Sequence, residues 1–126
     1  MKKKILVIDD NPVVARYAEH MFTAKGFEVI VAPDGASGLK KAVAGHPDLI
    51  FLDIILPEMH GFEVCKKIKE QETTKDIPIV IITGTGLEEI AVNEPDLGAV
   101  ACLAKPFSVE DVDKVLKKIW PDGYGA

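Results

Sequence analysis

An aspartate directly follows a strongly apolar run in the middle of the chain. Leu49–Leu52 are four consecutive apolar residues, Asp53 comes next, and Pro57 follows shortly after. A short apolar run bounded by polar or turn residues is typical of a strand buried on both faces of a sheet. Asp53 is therefore predicted at the carboxyl end of a central strand, the edge at which open α/β sheets bind ligands. Taken alone, an ordinary loop aspartate is the commoner explanation.

Four further polar residues occupy corresponding places at the ends of other predicted strands. Asp9 and Asp10 follow the first strand, Thr83 ends the fourth, and Lys105 follows the fifth. Because the carboxyl ends of parallel strands share one edge of a sheet, these side chains and Asp53 are predicted to converge in one cleft. Three carboxylates repel one another, and an all-oxygen donor set favours a hard cation such as Mg²⁺.

This set of residues suits phosphoryl transfer to a carboxylate. A carboxylate can attack phosphorus and form an aspartyl-phosphate. The transferring group then needs its equatorial oxygens neutralised by a metal, an ammonium group and hydrogen-bond donors. Asp10 would bind the metal, Lys105 would supply the ammonium group, and Thr83 would donate a hydrogen bond.

Strand and helix patterns alternate along the whole chain and place these residues. Strands are predicted at 4–8, 28–32, 49–52, 77–83 and 99–104, and helices at 12–25, around 39–43, 61–70 and 109–119. The segment 84–95 is rich in helix breakers, and 87–93 is compatible with a short helix that Pro95 ends. Alternating strands and helices predict a parallel sheet that is covered on both faces.

Local signals mark where several helices begin and end. Asn11 before Pro12 is a good helix start, Gly26 is a stop signal, and Ser108 with Asp111 forms a candidate capping box. The helical spacing predicts that the second helix turns Leu39, Ala42 and Val43 inward and that the last helix buries five apolar residues, namely Val109, Val112, Val115, Leu116 and Ile119.

Four motifs in order give the chain a resemblance to the response-regulator receiver domains of two-component signalling. The motifs are 7–11, 52–61, 82–84 and 105–107, and the resemblance extends from Lys4 to Ile119. It implies a flavodoxin-like (βα)5 fold with a doubly wound, parallel five-stranded sheet in the order 2-1-3-4-5. The receiver domain is expected at 1–120, with a short C-terminal tail at 121–126.

The resemblance also implies a role for each acidic residue. Asp53 resembles the phosphoacceptor, which takes a phosphoryl group from a histidine kinase, a phosphotransfer protein or a small phosphodonor. Asp10 and Asp53 resemble direct Mg²⁺ ligands, Asp9 resembles a ligand acting through water, and Ile55 the residue that gives its backbone carbonyl.

Thr83 resembles the hydroxyl that shifts toward the phosphoryl group, and Lys105 the residue that pairs with a phosphoryl oxygen, with a cis peptide bond to Pro106. Such domains are signalling modules and not turnover enzymes, although they slowly remove their own phosphate. Their phosphorylation changes a surface that a downstream protein target or an output domain recognises. The resemblance also leaves a homodimer open.

Two features depart from the family pattern. Cys102 occupies the position, three residues before the lysine, where the family usually has an aromatic residue that swings inward. The segment 84–95 lies where the family usually has a firm helix. One hypothesis is that phosphorylation orders this segment instead of rotating an aromatic ring. Unchanged hydrogen exchange across 84–95 with a phosphoryl mimic would contradict it.

Three alternatives stay open at this stage. A Mg²⁺-dependent phosphatase with an aspartyl nucleophile would need an acid two residues after Asp53, where Ile55 stands. A flavin-binding module would need a phosphate-cradling loop after the first strand, where Asp9 and Asp10 would repel a phosphate. A degenerate receiver that acts only as a protein-interaction module would show no phosphorylation.

Bulk properties set further limits. The 126 residues fit one domain with a real core, and the net charge of −5 argues against direct nucleic-acid binding. No apolar run approaches the length of a membrane span. Cys65 and Cys102 lack metal-ligand spacing and are predicted to be small buried residues in a reducing compartment, so a cytoplasmic protein is expected.

Overall fold

The computed structural model describes residues 3–56, 60–84 and 98–123. Within those ranges it contains five strands and four helices. The strands are β1 (Lys4–Ile8), β2 (Glu28–Ala32), β3 (Leu49–Asp53), β4 (Ile79–Thr83) and β5 (Ala99–Ala104). The helices are α1 (Pro12–Ala24), α2 (Gly35–Gly45), α3 (Gly61–Glu70) and α4 (Val109–Ile119). The helix predicted at 87–93 and Pro57 fall outside the described residues.

The sheet has the predicted doubly wound topology. All four strand pairs are parallel, and the order is β2-β1-β3-β4-β5. The register places Asp53 beside Ile82 and Thr83 beside Ala104. Every residue of the central strand β3 is buried, as its continuous apolar run predicted, and Asp53 itself is the last residue of that strand.

Helices cover both faces of the sheet. On one face, α1 and α4 enclose a core rich in aromatic rings, in which Phe22, Phe51 and Phe107 are buried. On the other face, α2 and α3 pack against aliphatic side chains such as Ile8 and Leu52. With both faces covered, only the strand ends are left to carry polar chemistry.

The predicted caps of α1 and α4 are confirmed. Asn11 Oδ1 accepts the backbone N–H of Val13 at 2.9 Å. Ser108 and Asp111 form a reciprocal capping box at the start of α4. Gly26, which follows α1, has a positive φ of 97°, a backbone conformation that favours glycine over residues with a Cβ.

Some sequence-based expectations about burial were wrong. Val43 and Val109 are exposed, because α2 buries the stripe through Gly38 and Ala42, from which Val43 is turned away, and Val109 is only the first residue of α4. Cys65 is buried as expected, whereas Cys102 is only partly buried. Strand β4 begins at Ile79, two residues later than predicted.

In the described ranges, no helix has the length and apolar character needed to cross a membrane.

Candidate functional site

All three predicted acidic residues and the predicted lysine meet at the carboxyl edge of the sheet. Asp9, Asp10 and Asp53 each offer one carboxylate oxygen, and these oxygens lie within 4.8 Å of one another. Lys105 Nζ lies 3.1 Å from Asp53 Oδ2 and 3.0 Å from Asp9 Oδ2. The convergence predicted from the strand ends is therefore present for these four side chains.

Asp9 is a buried carboxylate whose two oxygens have different surroundings. Its Oδ1 accepts the backbone N–H of Asn11 at 2.9 Å, which fixes the side chain against the start of α1. Its Oδ2 is buried and receives no directed hydrogen bond from the described residues, although the ammonium group of Lys105 is close enough for an ion pair. An oxygen of this kind can accept a further cationic or hydrogen-bonding partner.

Asp53 is held at the end of β3 by contacts to both carboxylate oxygens. Only 4% of the residue is exposed, Oδ1 accepts the backbone N–H of Ile55 at 3.1 Å, and Oδ2 accepts from Lys105. Burial and the negative charge of Asp9 raise the pKa of Asp53, against the opposing effects of the Ile55 N–H and Lys105. The ionised form that would act as a nucleophile thus depends on positive charge nearby.

Lys105 supplies a positive charge that the site keeps protonated. Burial by itself would lower its pKa, but close contacts of the ammonium group with the carboxylates of Asp9 and Asp53, and the negative charges of both, outweigh burial and raise the pKa. Its backbone N–H donates to the carbonyl of Thr83 at 2.8 Å, which ties the loop after β5 to the end of β4. The peptide bond from Lys105 to Pro106 is cis, as the family resemblance implied.

Thr83 and Ile55 stand beside the site with contacts made through their backbones. Thr83 is fully buried, and its carbonyl accepts from Lys105. Ile55 has an exposed side chain, and its N–H binds Asp53. The roles of the Thr83 hydroxyl and of the Ile55 carbonyl as a metal ligand remain predictions.

Gly61, the first residue of α3, is a site residue whose role sequence reasoning missed. A Cβ at this position would lie 2.5 Å from the Cα of Ile54 and 2.6 Å from the carbonyl oxygen of Asp53. Its N–H donates to the carbonyl of Ile54 at 2.8 Å. Only a residue without a side chain lets α3 start this close to the backbone of Asp53. The sequence showed this glycine inside a motif but carried no signal of the contact.

An apolar groove adjoins the lysine. It has a volume of about 470 Å³ and is lined by residues of α1 and of the loop after β5, namely Val13, Val14, Tyr17, Lys105, Pro106 and Phe107. Within it, the hydroxyl of Tyr17 donates to the carbonyl of Phe107 at 3.2 Å. Sequence reasoning also missed this contact, because the two residues are 90 positions apart.

The fold and the acidic site together define a doubly wound α/β domain with a carboxylate cluster and a lysine at the carboxyl edge of its sheet. The sequence profile of the response regulator receiver domain matches residues 5–117. The chain therefore belongs to the response-regulator receiver family, as the four motifs predicted.

Relatives and solved structures agree with this assignment. The chain is 40% identical over 119 residues to the alkaline phosphatase synthesis transcriptional regulatory protein PhoP of Bacillus subtilis. That alignment covers 94% of this chain and 49% of PhoP, so the chain spans about half the length of this relative. The chemotaxis protein CheY4 of Vibrio cholerae superposes with a TM-score of 0.87 at 32% identity, covering 94% of this chain and 99% of CheY4.

One structural neighbour bears on the metal. The receiver domain of the Pseudomonas aeruginosa sensor histidine kinase PA1611 superposes with a TM-score of 0.85 at 28% identity, covering 98% of this chain and all of that one. It is described with a magnesium ion coordinated in its active-site cleft. These comparisons support a phosphorylation-dependent signalling domain over the phosphatase and the degenerate-receiver alternatives.

Proposed function

We propose that this domain accepts a phosphoryl group on Asp53 in a Mg²⁺-dependent reaction. The observation that carries the proposal is the setting of the Asp53 carboxylate. It is buried at the carboxyl edge of the sheet, it contacts Lys105 at 3.1 Å, and it lies beside the carboxylates of Asp9 and Asp10. A nucleophile, a cation to neutralise the transferring group and a set of hard oxygen ligands thus stand together.

The donor set fits a magnesium ion. Three carboxylate oxygens within 4.8 Å of one another match the preference of Mg²⁺ for oxygen ligands, and Asp9 Oδ2 lacks a directed donor among the described residues. Asp10 and Asp53 would bind the ion directly, Asp9 through water, and Ile55 through its carbonyl. When bound, the ion would offset the carboxylate repulsion and neutralise charge on a phosphoryl oxygen.

The residues of the chain would divide the transfer step among them. One carboxylate oxygen of Asp53 forms a bond to phosphorus while the bond from phosphorus to the donor breaks, and the donor leaves with that electron pair. With acetyl phosphate the leaving group is acetate. Lys105 pairs with a phosphoryl oxygen, and the Thr83 hydroxyl donates to another. The same site then releases the phosphate slowly by hydrolysis, so the domain acts as a signalling switch and not as a turnover enzyme.

We infer a histidine kinase or a phosphotransfer protein as the physiological donor. Response-regulator receivers interact with histidine kinases, and here an apolar groove opens directly beside Lys105. Such a surface suits a protein that must bring its phosphohistidine to Asp53. Small phosphodonors would reach the site without that surface.

We infer that a downstream protein target or an output domain binds the surface that changes on phosphorylation. A second copy of the chain, in a homodimer, is a further candidate for this partner. PhoP is named as a transcriptional regulatory protein, but the net charge of −5 opposes direct contact between this domain and nucleic acid. We infer that the domain works in the cytoplasm, where histidine kinases present their phosphate.

Intact-mass spectrometry after incubation with acetyl phosphate tests this function. We expect one added phosphate on the wild type with Mg²⁺, none with EDTA, and none on Asp53→Asn. Asp122→Asn is the matched control, since Asp122 is exposed in the turn after α4, and it should be labelled like the wild type. A wild type that takes no phosphate from acetyl phosphate or from a kinase extract, or an Asp53→Asn variant that is labelled normally, would overturn the proposal.

A further inference from the structure

Tyr17 of α1 makes a specific contact with the loop that carries Lys105. Its hydroxyl donates to the carbonyl of Phe107 at 3.2 Å, and the centroids of the two rings are 5.7 Å apart. Tyr17 is 43% exposed, so burial of its ring does not by itself account for its position. The hydrogen bond fixes the backbone of the loop two residues beyond the lysine.

The same contact continues into the core and ends next to the acceptor strand. The ring of Phe107 lies 5.8 Å from that of Phe51 in an edge-to-face arrangement, and both rings are buried. Phe51 precedes Asp53 by two residues on β3, and Phe107 follows Lys105 by two residues. The rings of Tyr17, Phe107 and Phe51 therefore form a row. This row connects the backbone segment of Lys105 with that of Asp53, and the side chains of these two residues lie 3.1 Å apart.

The position of the ammonium group depends on this loop. A lysine side chain has several rotatable bonds and loses much conformational entropy when it is held in one place. The backbone of Lys105 is fastened to Thr83 on one side by a hydrogen bond of 2.8 Å, and the Tyr17 hydroxyl fastens the other side at Phe107. Small displacements of a group that stabilises a transition state can cost up to about a hundredfold in rate.

We propose that Tyr17 is a positioning residue for phosphoryl transfer. It holds the loop 105–107 against β3 and thereby sets the place of the Lys105 ammonium relative to Asp53. The inference rests on the proposed phosphorylation of Asp53, and it adds a residue that is neither the proposed acceptor nor one of the proposed metal ligands.

A small phosphodonor separates this role from contact with a partner. Tyr17 also lines the apolar groove, so a protein donor would respond to its replacement for two different reasons. Acetyl phosphate needs no protein surface, and its rate of reaction therefore reports on the site alone.

The test compares Tyr17→Phe, which removes only the hydroxyl, and Tyr17→Leu, which also removes the ring. His20→Leu is the matched control, because it removes an exposed ring from the same helix α1 at a residue that does not line the groove. Initial rates are measured against acetyl phosphate concentration at saturating Mg²⁺. We expect the maximal rate to fall about fivefold in Tyr17→Phe, as for the loss of one hydrogen bond, and further in Tyr17→Leu. The half-saturating concentration should not change, and the rates of His20→Leu should equal those of the wild type.

The Lys105→Met background shows whether the effect passes through the lysine. There, slow labelling followed over hours should be equal with and without the additional Tyr17→Phe substitution, because no ammonium remains to be positioned. An undiminished fivefold effect in that background, or wild-type rates in Tyr17→Phe and Tyr17→Leu, would overturn the inference. If Tyr17→Leu does not fold, Tyr17→Phe alone decides. An unlabelled wild type would instead count against the proposed function.

Discussion

The side-chain nitrogen of Lys105 lies 3.1 Å from Oδ2 of Asp53, across 52 positions of sequence. The same nitrogen lies 3.0 Å from Asp9 Oδ2. One ammonium group thus links carboxylates from the ends of β1 and β3, and its own position is fixed by the loop after β5. The side chains of Asp53, Lys105 and Asp9 are therefore coupled, and we expect a change in one to affect the other two.

Replacing the lysine should slow phosphorylation much more than it changes the fold. In Lys105→Met, a transferring phosphoryl group would lose a cation that neutralises its oxygens, so we expect the rate with acetyl phosphate to fall on the order of a hundredfold. Lys114→Met, which removes an exposed lysine of α4, is the control and should react like the wild type. Equal rates in Lys105→Met and the control would show that the ammonium does not act in the transfer.

Replacing Asp53, the proposed acceptor, should stabilise the protein at neutral pH. The pKa of Asp53 is raised above its usual 3.8, chiefly by burial and also by the charge of Asp9. The folded state therefore binds the Asp53 proton more tightly than the unfolded chain does. This contribution to stability is present below the unfolded pKa and is lost as the pH rises through the folded pKa.

At pH 7 without Mg²⁺, we therefore expect the free energy of unfolding of Asp53→Asn to exceed that of the wild type by about 1 kcal/mol. For a domain of this size, this difference raises Tm by roughly 4 °C. The advantage should shrink as the pH is lowered toward 4. Thermal unfolding between pH 4 and 7 measures it, with Asp122→Asn as a control that should show no such trend. A Tm for Asp53→Asn below that of the wild type at pH 7 would contradict this view of the site.

Magnesium should stabilise the wild type through its acidic cluster. A ligand that binds only the folded state at ten times its dissociation constant adds about 1.4 kcal/mol to the free energy of unfolding. We expect a rise in Tm with Mg²⁺ for the wild type and for Asp122→Asn, and a much smaller rise for Asp10→Asn. The same increment in Asp10→Asn would place the ion elsewhere.

Gly61→Ala should disturb Asp53, the proposed acceptor, through the backbone of Asp53 and Ile54. The new Cβ would lie 2.5 Å from the Cα of Ile54, and backbone atoms cannot move aside as a flexible side chain can. We expect a loss of about 2 kcal/mol in stability and slower labelling by acetyl phosphate. Gly84→Ala is the stability control, since its Cβ would meet Lys105 Cβ at an ordinary 3.8 Å, and urea unfolding of both variants gives the comparison. Equal stability of the two variants would show that α3 can shift away from Asp53 at little cost.

Patterns within single elements made much of this structure predictable. The apolar runs located the strands, Asn11 and Ser108 located two helix starts, and the polar residue after each strand located Asp9, Asp53 and Lys105 at one edge. These features follow from local propensity and from the geometry of parallel sheets, both of which can be read from neighbouring residues.

Contacts between distant segments were not predictable in this way. The proximity of Gly61 to Asp53 and the hydrogen bond from Tyr17 to Phe107 depend on how α3 and α1 pack against the sheet. The helical spacing predicted that Val109 is buried, but Val109 lies in the first turn of α4, away from the core. Periodicity alone therefore predicted its burial wrongly.

The measurement that tests the central claim most directly is chemical location of the phosphate. The wild type is labelled with acetyl phosphate and Mg²⁺, the acyl phosphate is reduced with borohydride, and the peptides are sequenced by mass spectrometry. We predict homoserine at position 53, and unmodified aspartate at positions 9 and 10. Homoserine at position 9 or 10 with intact Asp53, or a phosphate that resists borohydride and maps to a hydroxyl or imidazole side chain, would contradict it.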